Sequence, residues 1–96
     1  MKNKETLILV PAYNEAENLE NVILDLQKYF NNILIVDDGS DDSYEEILKS
    51  YNILYLKHLI NLGQGAALHT GFTYFLSKIQ FKYVVTFDGD GQNRAI

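Results

Sequence analysis

The sequence has no cysteine, one proline and two histidines among its 96 residues. Without cysteine the chain can form neither a disulfide framework nor a thiolate metal site, and two histidines are too few for a histidine-rich metal site. Basic residues are also few: eight Lys and Arg are scattered along a chain of formal net charge −5. Because nonspecific nucleic-acid binding needs clustered basic side chains, we expect no nucleic-acid partner.

Long hydrophobic runs are absent as well. The apolar run before Pro11 covers only residues 6–10, which is too short for a signal peptide or for the roughly 20 residues of a membrane-spanning helix. With 47% hydrophobic residues, seven Tyr and five Phe, the chain nevertheless has enough apolar side chains for a modest core. We therefore expect a single domain over residues 1–96, in the cytoplasm or peripherally at the cytoplasmic face of a membrane.

Short apolar runs alternate with segments of helical periodicity. The runs predict four strands, at residues 6–10, 32–38, 52–58 and 82–88. Between them, helices are predicted where apolar residues recur from Leu19 to Phe30 and from Gln64 to Ile79. A short helix is predicted at 43–51, where Ser43 and Glu46 have capping-box spacing. The order βαβαβαβ predicts an α/β fold with a mostly parallel sheet flanked by helices. Ligands bind beyond the carboxyl ends of the strands in such sheets, so the loops there are candidate sites.

The third predicted helix is long, and its apolar residues fit one face. The residues predicted to share its packed face are Ala67, Leu68, Phe72, Phe75, Leu76 and Ile79. His69, in the middle of this helix, is interpreted as a surface or packing residue.

The first loop, "PAYNEAENLE", follows the first predicted strand. Pro11 ends the strand because it removes a ladder donor. Asn14 and Glu17 have the spacing of a helix-capping pair, and a capped helix start alone would explain Glu17. Tyr13 and Glu15 favour a binding role, because an aromatic ring and a carboxylate at a strand end can stack on and hydrogen-bond to a base or a ribose.

The second loop, "VDDGSDDS", is acidic. Asp41 and Asp42 are interpreted as solvated residues that cap the next helix. Asp37 and Asp38 terminate a buried strand, where a carboxylate without a partner is costly. A base imino N–H or ribose hydroxyls could supply that partner.

The third loop, "NLGQGAALHTG", is glycine-rich and opens a helix. The backbone N–H groups of Gly63 and Gly65 could contact a phosphate. A tight strand-to-helix turn explains the same glycines, and both interpretations remain open. The loop is not a dinucleotide-binding fingerprint, since Leu68 stands where the third glycine would be.

The fourth loop, "TFDGDGQN", carries two aspartates one residue apart. Asp88 and Asp90 can project to the same side of an extended segment, where their charges repel unless a cation neutralises them. A divalent cation with oxygen ligands meets that need, and Gly89 and Gly91 leave room for a diphosphate. An EF-hand calcium loop is disfavoured, because a strand precedes the loop and Gly91 falls two positions too early.

Together the four loops resemble the nucleotide-binding half of the inverting glycosyltransferases of family 2, which have the Rossmann-like GT-A fold. The resemblance covers about residues 6–92 and is nearest to the branch of dolichyl-phosphate mannose synthases and polyprenyl-phosphate glycosyltransferases. That branch has a D-x-D-x-Q run, matched here by Asp88, Asp90 and Gln92.

The resemblance implies a UDP- or GDP-sugar as the donor. The residues that match nucleoside contacts are Pro11, Tyr13, Glu15, Val36 and Asp38; those that match positions near the ribose and diphosphate are Asp88 and Gly89. Asp90 and Gln92, with Asp88 as a further candidate, match ligands of Mg²⁺ or Mn²⁺. A lipid-phosphate acceptor is implied by the nearest branch, and it would need no general base because the phosphate is already anionic.

Some family features have no counterpart in this sequence. Gln64 stands where the family usually has Lys or Arg, and Asn93 where it often has His. We find no match to the family's second half, which supplies the acceptor subsite and any catalytic base. We therefore expect a truncated domain and assign no catalytic residue.

Two alternatives from other classes remain. An exposed sheet edge or apolar face could make the chain a self-associating or purely nucleotide-binding module, with homo-oligomers as the outcome. A nucleotidyltransferase would also use metal-bound diphosphates, but it would carry a glycine-rich, basic loop after the first strand. The stretch "PAYNEAEN" has neither feature.

Overall fold

A computed structural model describes residues 3–14, 16–40, 45–51 and 53–87. Its elements in chain order are β1 (Asn3–Ala12), α1 (Ala16–Gln27), β2 (Phe30–Asp37), α2 (Glu45–Tyr51), β3 (Leu54–Lys57), α3 (Gln64–Ser77) and β4 (Tyr83–Thr86). This order confirms the predicted alternation of strands and helices. Within these ranges, no helix is long and apolar enough to cross a membrane.

The four strands form one parallel sheet in the order β3-β2-β1-β4. The two central strands carry continuous apolar runs, Leu7–Val10 and Ile33–Val36, because helices cover both of their faces. Side chains that alternate along these strands enter two cores. Ile8, Val10, Ile33 and Ile35 pack with residues of α1 and α2, whereas Leu7, Leu9, Leu34 and Val36 pack with residues of α3.

The chain reverses its direction across the sheet at β1. From β1 it moves to β2 and then to β3, but β4 returns to the other side of β1. Since parallel crossovers are right-handed, the reversal places α1 and α2 on one face of the sheet and α3 on the other. The point of reversal lies between β1 and β4, and in open α/β sheets ligands bind at such a point, beyond the carboxyl ends of the strands.

Helix α3 approaches the sheet through its small residues. Ala67 is fully buried, and a Cβ added at Gly71 would lie 2.9 Å from Leu9 Cγ. Tyr74 and Phe75 pack at the sides of this contact. The missing side chain of Gly71 therefore sets the distance between α3 and β1.

The predicted face of α3 was partly wrong. Ala67, Leu68 and Phe75 do pack against the sheet. Phe72, Leu76 and Ile79 are exposed instead, the last two by 80% and 97%. Large apolar residues lie on two sides of the helix, so their spacing resembled one broad apolar face. The residue in closest contact with the sheet is Gly71, which has no side chain.

The first and third helices also end earlier than predicted, α3 at Ser77 and not at Ile79. Apolar periodicity extended the first helix to Phe30, but α1 ends at Gln27 and Phe30 begins β2. The turn between them is closed by the N–H of Tyr29, which donates to the Leu26 carbonyl at 3.0 Å. Phe30 still packs against the same core as α1, which is why its spacing fits both interpretations.

Candidate functional site

Hydrogen bonds join the loops at the carboxyl edge of the sheet. The N–H of Asp38 donates to the Ala12 carbonyl at 2.8 Å, extending the pairing of β1 and β2 by one residue. The N–H of Asn14 donates to Ser40 Oγ at 2.7 Å. Asn14 has a left-handed backbone (φ 51°), which Asn tolerates better than most residues. The loop after β1 is thus held against the loop after β2.

The carboxylate of Asp38 is the centre of this edge. Its Oδ1 atom accepts from His58 Nδ1 at 2.8 Å and from the N–H of Leu62 at 2.9 Å. Its Oδ2 atom accepts from the N–H of Gly63 at 2.7 Å and from Asn61 Nδ2 at 3.1 Å. A carboxylate has about four lone-pair positions, and all are used here. Asp38 therefore fixes the loop that leads into α3.

These contacts determine the ionisation of Asp38, which is 3% exposed. Burial alone would raise the pKa of its carboxyl group. Hydrogen bonds from His58 and from the backbone of Leu62 and Gly63, together with the charge of His58, outweigh burial and hold the pKa below its ordinary value. The group is an anion at neutral pH and a strong acceptor for the loop.

His58 is a residue of this edge that the sequence did not reveal. Its Nδ1 atom contacts Asp38, and its Nε2 atom lies 2.8 Å from Thr70 Oγ1 on α3. Its backbone N–H donates to the Asp37 carbonyl at 2.8 Å, so it continues the pairing of β2 and β3. The sequence feature that could have indicated this role is a histidine directly after a predicted strand, at the same edge as Asp38, a buried acid that needed a partner.

Asp37 is as deeply buried as the core. Its Oδ1 atom accepts from the N–H of Ser40 at 3.0 Å, and its Oδ2 atom accepts from the Tyr55 hydroxyl at 3.1 Å. Between these residues Gly39 has a φ of 76°, and a Cβ added there would lie 2.5 Å from the backbone nitrogen of Asn61. The loop after β2 is therefore packed tightly against the loop after β3.

The predicted donor contacts fall into three groups. Pro11 and Val36 lie in register on β1 and β2, and both are buried. Tyr13 is 44% exposed at the edge, where its ring is open to a ligand. Gly63 and Gly65 lie at the start of α3; the Gly63 N–H is engaged by Asp38, while a Cβ added at Gly65 would meet no atom within 4 Å. The roles of these residues stay predictions.

The remaining predicted residues, Glu15, Asp88, Gly89, Asp90 and Gln92, lie outside the described ranges, as do Asp41 and Asp42. The last described residue, Phe87, donates its N–H to the Leu9 carbonyl at 2.9 Å. The chain thus reaches the carboxyl edge at Phe87, beside β1. Among residues 3–14, 16–40, 45–51 and 53–87, no group of three or more His, Asp or Glu could hold a metal ion.

Comparison with known proteins identifies the fold family. A sequence model of the family Glycosyl transferase family 2 matches residues 7–95. An uncharacterized protein of Methanocaldococcus jannaschii is 39% identical over 93% of this chain and 37% of its own length. The UDP-N-acetylglucosamine–dolichyl-phosphate N-acetylglucosaminyltransferase of Methanococcus voltae is 33% identical over 97% of this chain and 44% of its own. The undecaprenyl-phosphate 4-deoxy-4-formamido-L-arabinose transferase of Salmonella choleraesuis is 32% identical over 94% of this chain and 30% of its own length.

The chain thus spans less than half the length of these relatives. The family match favours the glycosyltransferase interpretation over a nucleotidyltransferase. Two of the three relatives are named for transfer of a sugar to a polyprenyl or dolichyl phosphate, which agrees with the branch that the sequence resembles.

Proposed function

Because this chain belongs to glycosyltransferase family 2, we propose that it binds a nucleotide-sugar donor, a UDP- or GDP-sugar, for inverting transfer of the sugar. The observation that carries the proposal is the strand order β3-β2-β1-β4. It places β4 beside β1, with Thr86 opposite Leu9, and the D-x-D run follows in the sequence directly after Phe87. A reversal of strand order is where such sheets bind nucleotides.

Each group at this edge has a proposed task. The exposed ring of Tyr13 stacks on the base, with Glu15 as a hydrogen-bond acceptor. Pro11 and Val36 form the floor beneath the nucleoside, and their burial and register make that floor rigid. Asp38 accepts four hydrogen bonds from the chain. A nucleoside that contacts its carboxylate must therefore share or replace one of these bonds.

The diphosphate requires positive charge, which the described edge supplies only sparsely. We propose that Asp90 and Gln92, with Asp88 as a further candidate, hold Mg²⁺ or Mn²⁺, in keeping with the family's general use of a divalent metal. Gly89 leaves space for the diphosphate beside Asp88. A bound divalent cation would stabilise the leaving nucleoside diphosphate.

A polyprenyl or dolichyl phosphate is the proposed acceptor, since two relatives are named for such acceptors. The loop before α3 supports contact with a lipid surface. Leu59, Ile60 and Leu62 are exposed by 98%, 65% and 56% at the same edge as the candidate site. We propose that this loop places the chain peripherally at the cytoplasmic face of a membrane, where a lipid phosphate would reach the donor.

Isothermal titration of the 96-residue chain with UDP and with GDP, in the presence and absence of MnCl₂ or MgCl₂, tests the donor site. We expect metal-dependent binding of one of the two nucleotides. The absence of metal-dependent binding of either nucleotide would contradict the proposal. Tyr13→Ala should weaken the binding. Tyr29→Ala is the control and should not weaken it, because Tyr29 is exposed by 64% on the turn after α1.

Self-association is a second candidate property. In the described part of the chain, β4 pairs with β1 alone, and its side chains Tyr83 and Val85 are exposed by 58% and 45%. An unpaired strand edge beside apolar side chains favours pairing with a second copy. Sedimentation at increasing concentration tests this, and a monomer at the highest concentration would count against it.

A further inference from the structure

His58 is held from both sides of its ring. Nδ1 lies 2.8 Å from Asp38 Oδ1, and Nε2 lies 2.8 Å from Thr70 Oγ1. Its side chain is only 11% exposed. The residue therefore connects the end of β2, the end of β3 and the second turn of α3 through one ring.

The partners of the ring determine where its proton lies. An ionised carboxylate can only accept hydrogen bonds, so Nδ1 must carry a hydrogen and donate it to Asp38. The Thr70 hydroxyl can either donate to Nε2 or accept from it, so it satisfies the ring in both protonation states. Asp38 thus selects the tautomer, and Thr70 adapts to it.

The ring in turn fixes the Asp38 carboxylate. Torsion about the terminal bond of an aspartate side chain has broad minima and holds no single orientation by itself. The Nδ1–H group binds Oδ1, the oxygen that also accepts from the Leu62 N–H. With that orientation fixed, Oδ2 faces the Gly63 N–H and Asn61 Nδ2.

We propose that His58 is a positioning residue of the donor site: it orients Asp38, and through Asp38 it holds the loop of residues 61–63 and the start of α3 at the carboxyl edge. This inference rests on the proposed donor-binding function for its effect on affinity. Its effect on the loop does not depend on that function.

Two substitutions distinguish the role of Nδ1 from the role of Nε2. In His58→Asn the side-chain nitrogen is attached at the γ carbon, as Nδ1 is, so it can still donate to Asp38. In His58→Gln the nitrogen is one atom further out, as Nε2 is, so it can reach Thr70 but not Asp38. We expect amide hydrogen exchange at Leu62 and Gly63 to become at least about 10-fold faster in His58→Gln and to change by less than about 3-fold in His58→Asn.

Affinity for UDP or GDP with MnCl₂ is the second readout. His58→Gln should weaken the nucleotide affinity by about 10-fold or more, whereas His58→Asn should retain most of the wild-type affinity. A variant of comparable stability loss on the opposite face of the sheet, Val22→Ala in α1, should leave it unchanged. If Val22→Ala weakens binding equally, the effect is general destabilisation and the proposal fails.

Hydrogen exchange and nucleotide affinity test the positioning role and the donor-binding function separately. If the wild-type chain binds neither nucleotide, the donor-binding function fails, and hydrogen exchange still decides the role of His58. If the amide hydrogens of Leu62 and Gly63 exchange at the same rate in His58→Asn and in His58→Gln, the positioning role is wrong, whatever the nucleotide affinity.

Discussion

Asp38 Oδ1 and His58 Nδ1 lie 2.8 Å apart, and the two side chains are exposed by only 4% and 11%. A buried carboxylate and its hydrogen-bonded partner are stable only when the remaining lone pairs and protons of both groups are also bonded. Both conditions hold here, because Asp38 accepts three more hydrogen bonds from the loop before α3 and His58 has Thr70 as its second partner. The pair therefore joins the end of β2, the end of β3 and the second turn of α3, and is not an isolated contact.

Replacing Asp38 with Asn should destabilise the chain. The amide nitrogen would face N–H groups that the carboxylate now satisfies, so buried donors would lose their acceptor. We expect the free energy of unfolding to fall by about 2–4 kcal/mol, measured by urea denaturation at pH 7. Asp25→Asn is the matched control, because the Asp25 carboxylate makes an exposed contact with Lys28, and it should cost less than about 1 kcal/mol. Equal losses in the two variants would contradict the assigned role.

The same carboxylate should make stability depend on pH in the acid range. Its pKa is lower in the folded chain than its ordinary value, so the unfolded chain binds more protons as the pH falls. The contribution of Asp38 is fully present above its unfolded pKa of about 4 and is lost as the pH drops through the folded pKa. The difference in unfolding free energy between wild type and Asp38→Asn should therefore shrink from pH 5 to pH 2.5. A difference that stays constant over this range would show that the pKa is not lowered.

Two glycines of α3 should respond in opposite ways to alanine. A Cβ at Gly71 would press on Leu9, which is fully buried, whereas a Cβ at Gly65 meets open space. Gly71→Ala should lower the free energy of unfolding by about 1–3 kcal/mol, because α3 must move away from β1. Gly65→Ala should raise it by up to about 1 kcal/mol through helix propensity. Thermal unfolding of both variants measures this, and a stabilised Gly71→Ala would contradict the close packing.

The sequence predicted the sheet better than the packing of α3. Leu7–Val10 and Ile33–Val36 are continuous apolar runs because β1 and β2 are covered on both faces, so composition alone indicates them. The packed face of α3 could not be read in the same way. Its closest contact is made by Gly71, and the absence of a side chain leaves no hydrophobic signal.

The contact of Asp38 with His58 could also not be predicted from the sequence. The two residues are 20 positions apart, and they meet only because β2 and β3 are parallel neighbours with Asp37 opposite Lys57. The next residues of the two strands are then side by side. The sequence did indicate that Asp38 needed a partner, but the partner is found by strand register, which periodicity does not give.

The exposed loop before α3 should contribute to lipid binding. Leu59 and Ile60 are exposed at the carboxyl edge, while Leu76 and Ile79 are comparably exposed near the opposite end of α3. The chain carries a net charge of −5, so binding to phosphatidylcholine vesicles must come from apolar contact. Replacing Leu59 and Ile60 together with Ser should reduce vesicle co-sedimentation by about 10-fold or more. The same change at Leu76 and Ile79 should have little effect, and an equal reduction would show nonspecific adsorption.

Removal of the predicted metal ligand should separate metal binding from folding. Asp90→Ala is expected to abolish the metal-dependent part of UDP or GDP binding, because residues that would hold a divalent cation must supply carboxylate or other oxygen ligands. Asp41→Ala, in the acidic stretch assigned to helix capping, should leave that binding within about 2-fold, since a solvated carboxylate contributes little. Titrations with and without MnCl₂ measure both, and thermal unfolding without metal verifies that neither variant loses its fold. Equal effects of the two substitutions on metal-dependent affinity would show that the acidic loops have been assigned the wrong way round.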